Sequence, residues 1–258
     1  MRILAVNPNT TEAVTRRFVE EARHVAPGTV VDGVTGTFGA AIVSTRAEAV
    51  VAAHATLDLL ARHGAGYDAA ILAISFDTGL AAARDLMPCP VVGITEAALQ
   101  AACAEVARAG DGGRVGLVTF GAQSLPLYQD MLTAYGLAGR VATIEVVPVE
   151  SAAGYLDPAA RDSAVLGAVA RLAEAGAGAA VICGAAIVGM ARRLQPAAAL
   201  PLHDGAAPSV ARALRLAETF VPTAPPCPLA PTTGLSNALA RLIAGHGPAP
   251  GADHARPV

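Results

Sequence analysis

Lysine is absent from the chain: all 18 basic residues are arginine. A Schiff base to pyridoxal phosphate or to a carbonyl substrate, and the lysine of a phosphate-binding P-loop, all need an amine on a flexible stem, so those chemistries are excluded. Tryptophan is absent too, and five phenylalanines with four tyrosines are too few for a platform on which bases or sugars stack. Charged residues make up only 15%, 18 basic against 21 acidic, with no arginine cluster to neutralise a row of phosphates, which argues against a nucleic-acid partner. No stretch reaches the ~18 uninterrupted apolar residues of a membrane span. The apolar run Ile3-Leu4-Ala5-Val6 is shorter than the roughly 7 to 15 residues of a signal peptide core, so it reads as a first strand. Cys89, Cys103, Cys183 and Cys227 lie far apart, with neither metal spacing nor a disulfide framework. A cytoplasmic address, no metal and no membrane partner are the expectations.

What is present is apolar and periodic. Hydrophobic residues are 53% of 258, enough for a sizeable core. Short apolar runs bounded by Gly, Pro, Asn or Asp alternate with alanine-rich segments of helical period, the pattern of strand-helix-strand units on a parallel sheet. Strands are predicted at 2–6, 29–33, 69–74, 90–94, 114–119, 142–147, 179–183 and 199–202. Helices are predicted at about 10–25, 45–64, 79–86, 95–109, 124–136, 157–175, 186–194 and 205–219.

Three apolar strings recur in the same order: Arg2–Val6 as Arg114–Val118, Asp68–Leu72 as Gly178–Ile182, and Pro90–Ile94 as Leu200–Asp204. Such a repeat implies an α/β protein of two similar parallel-sheet halves, residues 1–110 and 111–220, with the last helix of the body free to return to the first half. A Pro-rich segment begins at Val221, and residues 221–258 read as an extension carrying one short helix, Leu235 to Ala244, and a loose tail.

Open parallel sheets bind ligands beyond the carboxyl ends of their strands, where helix N-termini present free amides. Two facing halves would place the turns Asn7–Thr11, Ile74–Gly79, Thr119–Ala122 and Gly184–Ala186 around one cleft. These turns are small, polar and Gly-bearing, and suit a small anionic or ureide-like molecule. The alanine-rich, weakly charged surface suggests helix packing between copies, so a homo-oligomer is expected.

The strings Val6-Asn7-Pro8-Asn9-Thr10-Thr11, Asp77-Thr78-Gly79-Leu80, Pro90-Val91-Val92-Gly93-Ile94-Thr95-Glu96-Ala97-Ala98 and Gly116-Leu117-Val118-Thr119 resemble the aspartate/glutamate racemase superfamily on its hydantoin and allantoin racemase branch. The resemblance covers about residues 1 to 220. It implies cofactor-independent isomerase chemistry at a carbon next to a carbonyl of a small hydantoin, ureide or amino acid. Inverting such a centre through a planar carbanion needs a base on each face, and family members use two cysteines.

Here the pattern breaks. Counting back from Gly79, the first cysteine position falls on Ile74, or on Ser75 if one residue is deleted; the second falls on Ala185. Ser75, Cys183 and His203 are therefore the candidates for catalysis. Ser75 would hydrogen-bond an enolate oxygen, Cys183 lies two residues from Ala185, and His203 stands where other members carry an assisting acid or base. Asn9, Thr10, Phe76, Thr119, Phe120, Gly184 and Ala185 are the candidates for substrate binding, each also readable as an ordinary turn or cap residue. Arg46 is a candidate partner for a substrate carboxylate. Two other functions stay open: a lyase or decarboxylase using the same enolate-stabilising pocket, and a non-catalytic protein that binds a small anion.

Overall fold

The computed structural model describes residues 1–110, 113–149, 158–226 and 228–250. The first half holds β1 (Arg2–Asn7), α1 (Glu12–Val25), β2 (Val30–Thr35), α2 (Arg46–His63), β3 (Ala69–Leu72), α3 (Leu80–Leu86), β4 (Val91–Gly93) and α4 (Ile94–Ala109). The second holds β5 (Arg114–Phe120), α5 (Leu125–Ala134), β6 (Val141–Val147), α6 (Pro158–Glu174), β7 (Ala177–Ile182), α7 (Met190–Leu194), β8 (Leu202–His203) and α8 (Ala206–Thr219). A last helix, α9, spans Asn237–Ile243.

Each half builds a four-stranded parallel sheet, in the orders β2-β1-β3-β4 and β6-β5-β7-β8. The two sheets have the same topology, as the repeat implies. Their central strands are apolar along their length because helices cover both faces: Ile3, Leu4, Ala5 and Val6 of β1 are all buried. In α1, Val14, Phe18 and Ala22 recur every fourth position on the buried face. α2 starts on a capping box, Thr45 accepting from the Glu48 amide while Glu48 accepts from that of Thr45.

Several elements depart from expectation. The segment 186–194 is a short 3-10 turn, Ala185–Ile187, followed by α7, because Gly189 takes a left-handed φ of 86° between them. The strand expected at 199–202 is only Leu202–His203, and β3 stops at Leu72, two residues early. α8 does return: Ala206, Val210 and Ala213 pack with Ile3, Ala5 and Ile71 of the first sheet. α9 also sits on the first half, with Leu239 and Leu242 buried in the core under α2. Burying each leucine is worth about 1.5–3 kcal/mol. The Ser236 hydroxyl donates to Asp58 and the Ala249 amide to the carbonyl of Ala61 at 2.8 Å, so the extension is fastened up to that point. Residues 251–258, the end of the expected loose tail, and Cys227 lie outside the described residues.

Candidate active site

A cavity of about 280 Å³ opens between the halves at the carboxyl ends of their strands. The first half contributes Ile42, Val43 and Ser44 from the loop before α2, and Ser75 and Phe76 from the turn after β3. The second contributes Thr119 and Phe120 at the end of β5, Gln123 and Ser124 after it, Tyr128 on α5, Val149, and Cys183 and Gly184 after β7. Among the described residues no lining side chain is an Asp, Glu, Arg or His; hydroxyls, one amide and one thiol face apolar walls. The Phe76 and Tyr128 rings pack across the halves with centroids 4.8 Å apart.

The turn after β3 settles which residue meets the cavity. Ile74 is 3% exposed and packs in the core with Leu72 and Leu80, whereas Ser75 lines the cavity. Ser75 is held twice: its Oγ accepts from the Ala185 amide of the other half at 2.9 Å, and its carbonyl accepts from Thr95 Oγ1 at 2.6 Å. Ser75 of the first half and Ala185 of the second thus touch each other directly. The Ser75 hydroxyl keeps its own proton, which it can donate to an oxygen on which charge develops.

Proton bookkeeping on the opposite wall gives the complementary group. Ser124 Oγ donates to the Gly121 carbonyl at 2.7 Å, so the 3.0 Å contact between Thr119 Oγ1 and Ser124 Oγ is satisfied by Thr119 donating. Thr119 then presents lone pairs to the cavity as an acceptor. Cys183 is 3% exposed, and burial first, then the nearby Asp77 charge, pushes its thiol well up against a hydrogen bond with Tyr128 that favours the thiolate. At neutral pH it is a thiol, able to give a proton.

The remaining candidates lie elsewhere. Asn9 is buried, its Oδ1 accepting from Asn7 Nδ2 and from the Thr11 amide, both at 2.9 Å. The Thr10 amide donates to Ala40 O at 3.1 Å and Thr11 Oγ1 to Ala41 O at 2.8 Å. This turn therefore holds the loop that delivers Ile42, Val43 and Ser44, and neither Asn9 nor Thr10 lines the cavity itself. His203 opens on a separate depression beside Asp204, Glu21 and Arg192, with Nε2 2.5 Å from Glu105 Oε2. It is not brought to Ser75. Arg46 forms a bidentate ion pair with Asp130 on α5. Ser44, Gln123, Ser124 and Tyr128 were missed; Ser124 and Tyr128 are one helical turn apart just after β5, a spacing that a closer reading of that turn could have used. Among the described residues no group of three or more His, Cys, Asp or Glu could hold a metal ion, and no helix is long and apolar enough to cross a membrane.

Two duplicated α/β halves enclosing a hydroxyl-lined cavity, with no charged lining side chain among the described residues, define a protein that receives a small molecule between its strand ends. A profile for the Asp/Glu/Hydantoin racemases matches residues 3–213. The chain belongs to that family. It is 28% identical over 225 residues to a hydantoin racemase of Rhizobium meliloti, covering 86% of this chain and 89% of that protein. Its fold is similar to the allantoin racemase of Pseudomonas fluorescens, with a TM-score of 0.78, 28% identity, and 97% and 98% of the two chains covered. The allantoin racemase from Klebsiella pneumoniae gives a TM-score of 0.77 at 26% identity, with 93% of each chain covered.

Proposed function

We propose that the protein is a cofactor-independent isomerase of racemase type, acting at the carbon next to a carbonyl of a small neutral ureide such as a hydantoin. The observation that carries this reading is the pairing of a donor from one half, Ser75, with an acceptor, Thr119, and a thiol, Cys183, from the other around one cavity. An N–H and a C=O side by side on a ureide ring match that pair. Among the described residues a carboxylate has no counter-charge there, which favours the ureide over an anionic amino acid. Ser75 would donate to the carbonyl oxygen as the enolate forms, and Cys183, kept a thiol by burial, would give its proton to the carbon.

Incubation in deuterated water with 5-substituted hydantoins, allantoin, aspartate, glutamate and substituted malonates tests this, by NMR for deuterium and circular dichroism for optical activity. Deuterium entering next to the carbonyl of a hydantoin or allantoin with loss of optical activity is expected, and Cys183→Ala should slow it about 100-fold or more. Undiminished exchange in that variant would remove Cys183 from the chemistry. A second reading, a lyase or decarboxylase, is favoured by one feature: a single protonated cavity thiol delivers a proton to one face only. Carbon dioxide loss from a malonate, without racemisation of any ureide, would select it.

A further inference from the structure

Ser75 and Phe76 enter the cavity from a turn whose next residue, Asp77, faces away from it and is nearly fully buried. Asp77 takes a φ of 47°, a left-handed conformation that a non-glycine residue adopts only when its surroundings over-determine it. The surroundings are three donors: the Thr95 amide reaches Oδ1 at 3.2 Å, while the Glu96 amide at 2.8 Å and the Tyr135 hydroxyl at 2.9 Å reach Oδ2. The first two are amides of the opening turn of α4. The third crosses from the second half. The carboxyl group is pressed so close to β4 that a Cβ on Gly93 would fall 2.3 Å from Asp77 Cγ.

Tyr135 is the C-cap of α5, the helix that carries Tyr128, about two helical turns earlier, against Phe76. Consecutive residues of the first half's turn, Phe76 and Asp77, therefore grip the same helix of the second half, one by ring packing and one by a hydrogen bond. We propose that Asp77 is a positioning residue for the cavity, acting with Tyr135 as a latch that ties the Ser75 turn to the second half.

An amide cannot replace this carboxylate without cost, because three donors converge on two oxygens and an NH2 would oppose at least one of them. The charged and titratable groups around it are Tyr135, Arg84 on α3, Glu96 on α4 and Cys183 after β7. Glu96 is neutralised by Arg84 at 3.1 and 2.6 Å, with Arg212 on α8 at 3.9 Å. Burial pushes Asp77 up to about 7, against the pull of its three donors, and its negative charge in turn raises the Cys183 thiol. The latch thus reaches the cavity by two routes: the placement of Ser75 and Phe76, and the field at Cys183.

For its activity readout the inference rests on the proposed racemase reading; a second readout needs no substrate. Tyr135→Phe and Asp77→Asn would be compared with wild type in the pH profile of deuterium exchange at the substrate carbon, and in the pH dependence of Cys183 alkylation by iodoacetamide, followed by peptide mass spectrometry. Losing the Tyr135 hydroxyl should lower kcat about fivefold or more with a smaller change in KM, and move the limb near pH 7 upward by about half a unit or more. Asp77→Asn should abolish that limb and raise the Cys183 alkylation rate at pH 8 about threefold or more. Should Asp77→Asn fail to fold, Tyr135→Phe decides alone. Variants that fold cooperatively yet keep the wild-type exchange profile and alkylation curve overturn the latch. A wild-type protein silent toward every substrate counts against the racemase reading, and the alkylation curves then decide the latch.

Discussion

The two halves solve one backbone problem from opposite sides. In each, a strand leads through a left-handed glycine, Gly79 at φ 82° and Gly189 at φ 86°, into a short helix, and a second strand then opens a longer one. Amides at the starts of these helices have no partner within the helix and need acceptors. In the first half Asp77, in the turn, reaches forward to the amides of Thr95 and Glu96. In the second half Asp204, at the start of the longer helix, reaches back to the Gly189 and Ala191 amides at 2.8 and 3.0 Å and also takes that of Ala206 at 3.1 Å. The exchange matters because one aspartate directly follows the cavity residues Ser75 and Phe76, and the other lines the depression at His203. Duplication conserved the sheet, and the position of one carboxylate made the halves chemically unequal.

The largest effect should come from forcing the first half to accept a side chain where the second has one. Gly93 pairs with Leu72, one step beyond the pair Ile71 and Val92 that matches Val181 and His203, so its counterpart in the second half is Asp204, yet a Cβ at 93 meets the Asp77 carboxyl group. Gly93→Ala should cost about 3 kcal/mol by urea denaturation, the upper range of overpacking. Asp77→Ala in the same chain should recover part of that cost, giving a coupling of about 1 kcal/mol or more. Additive costs would mean that the carboxylate does not dictate the glycine.

A smaller effect separates the two aspartates by pH. Burial raises both in the folded protein. The stability each contributes is therefore complete below the ordinary aspartate value and is lost as pH rises through the folded one. For Asp77 the window runs from about 4 to about 7. The stability of wild type relative to Asp77→Asn should fall across it, and a difference that rises would refute the assignment. Asp204→Ala should destabilise by about 2 kcal/mol, through three orphaned amides, and leave kcat and KM within about twofold, since it is remote from the cavity.

The positions of most strands and helices along the chain were legible because apolar runs and alanine-rich periods are local signals, and the repeat disclosed the duplication, whereas the order of strands within each sheet is not a local signal. The return of α8 to the first half was foreseen only as an option, since small residues such as Ala206 and Ala213 do not declare which sheet they cover. The cavity was half legible. Ser75, Phe76, Thr119, Phe120, Cys183 and Gly184 end or follow strands, where the topology directs attention, and they line it. Tyr128 lies inside a helix and Ser44 in a loop carried by the Asn9–Thr11 turn, so both needed the tertiary arrangement. Asp77 looked like part of a motif, and nothing in the string pointed to Tyr135, which meets it from 58 residues away.

The smallest effect concerns another polar contact across the halves. Arg46 on α2 and Asp130 on α5 form two hydrogen bonds at 2.7 and 3.0 Å, a geometry as good as that of the buried latch. Their side chains are 62% and 59% exposed, so water screens the pair, and two long side chains lose rotamer freedom to make it. Geometry alone would rank this bridge beside Asp77 and Tyr135; environment ranks it far below. Arg46→Ala should leave the melting temperature unchanged at physiological ionic strength, and should leave KM for a neutral hydantoin unchanged because the guanidinium does not line the cavity. The same variant probes the substrate's charge. A tenfold rise in KM for an acidic substrate alone would mean that Arg46 can leave Asp130 to meet a carboxylate, and the preference for a neutral ureide would then fall while the cavity and its latch stand.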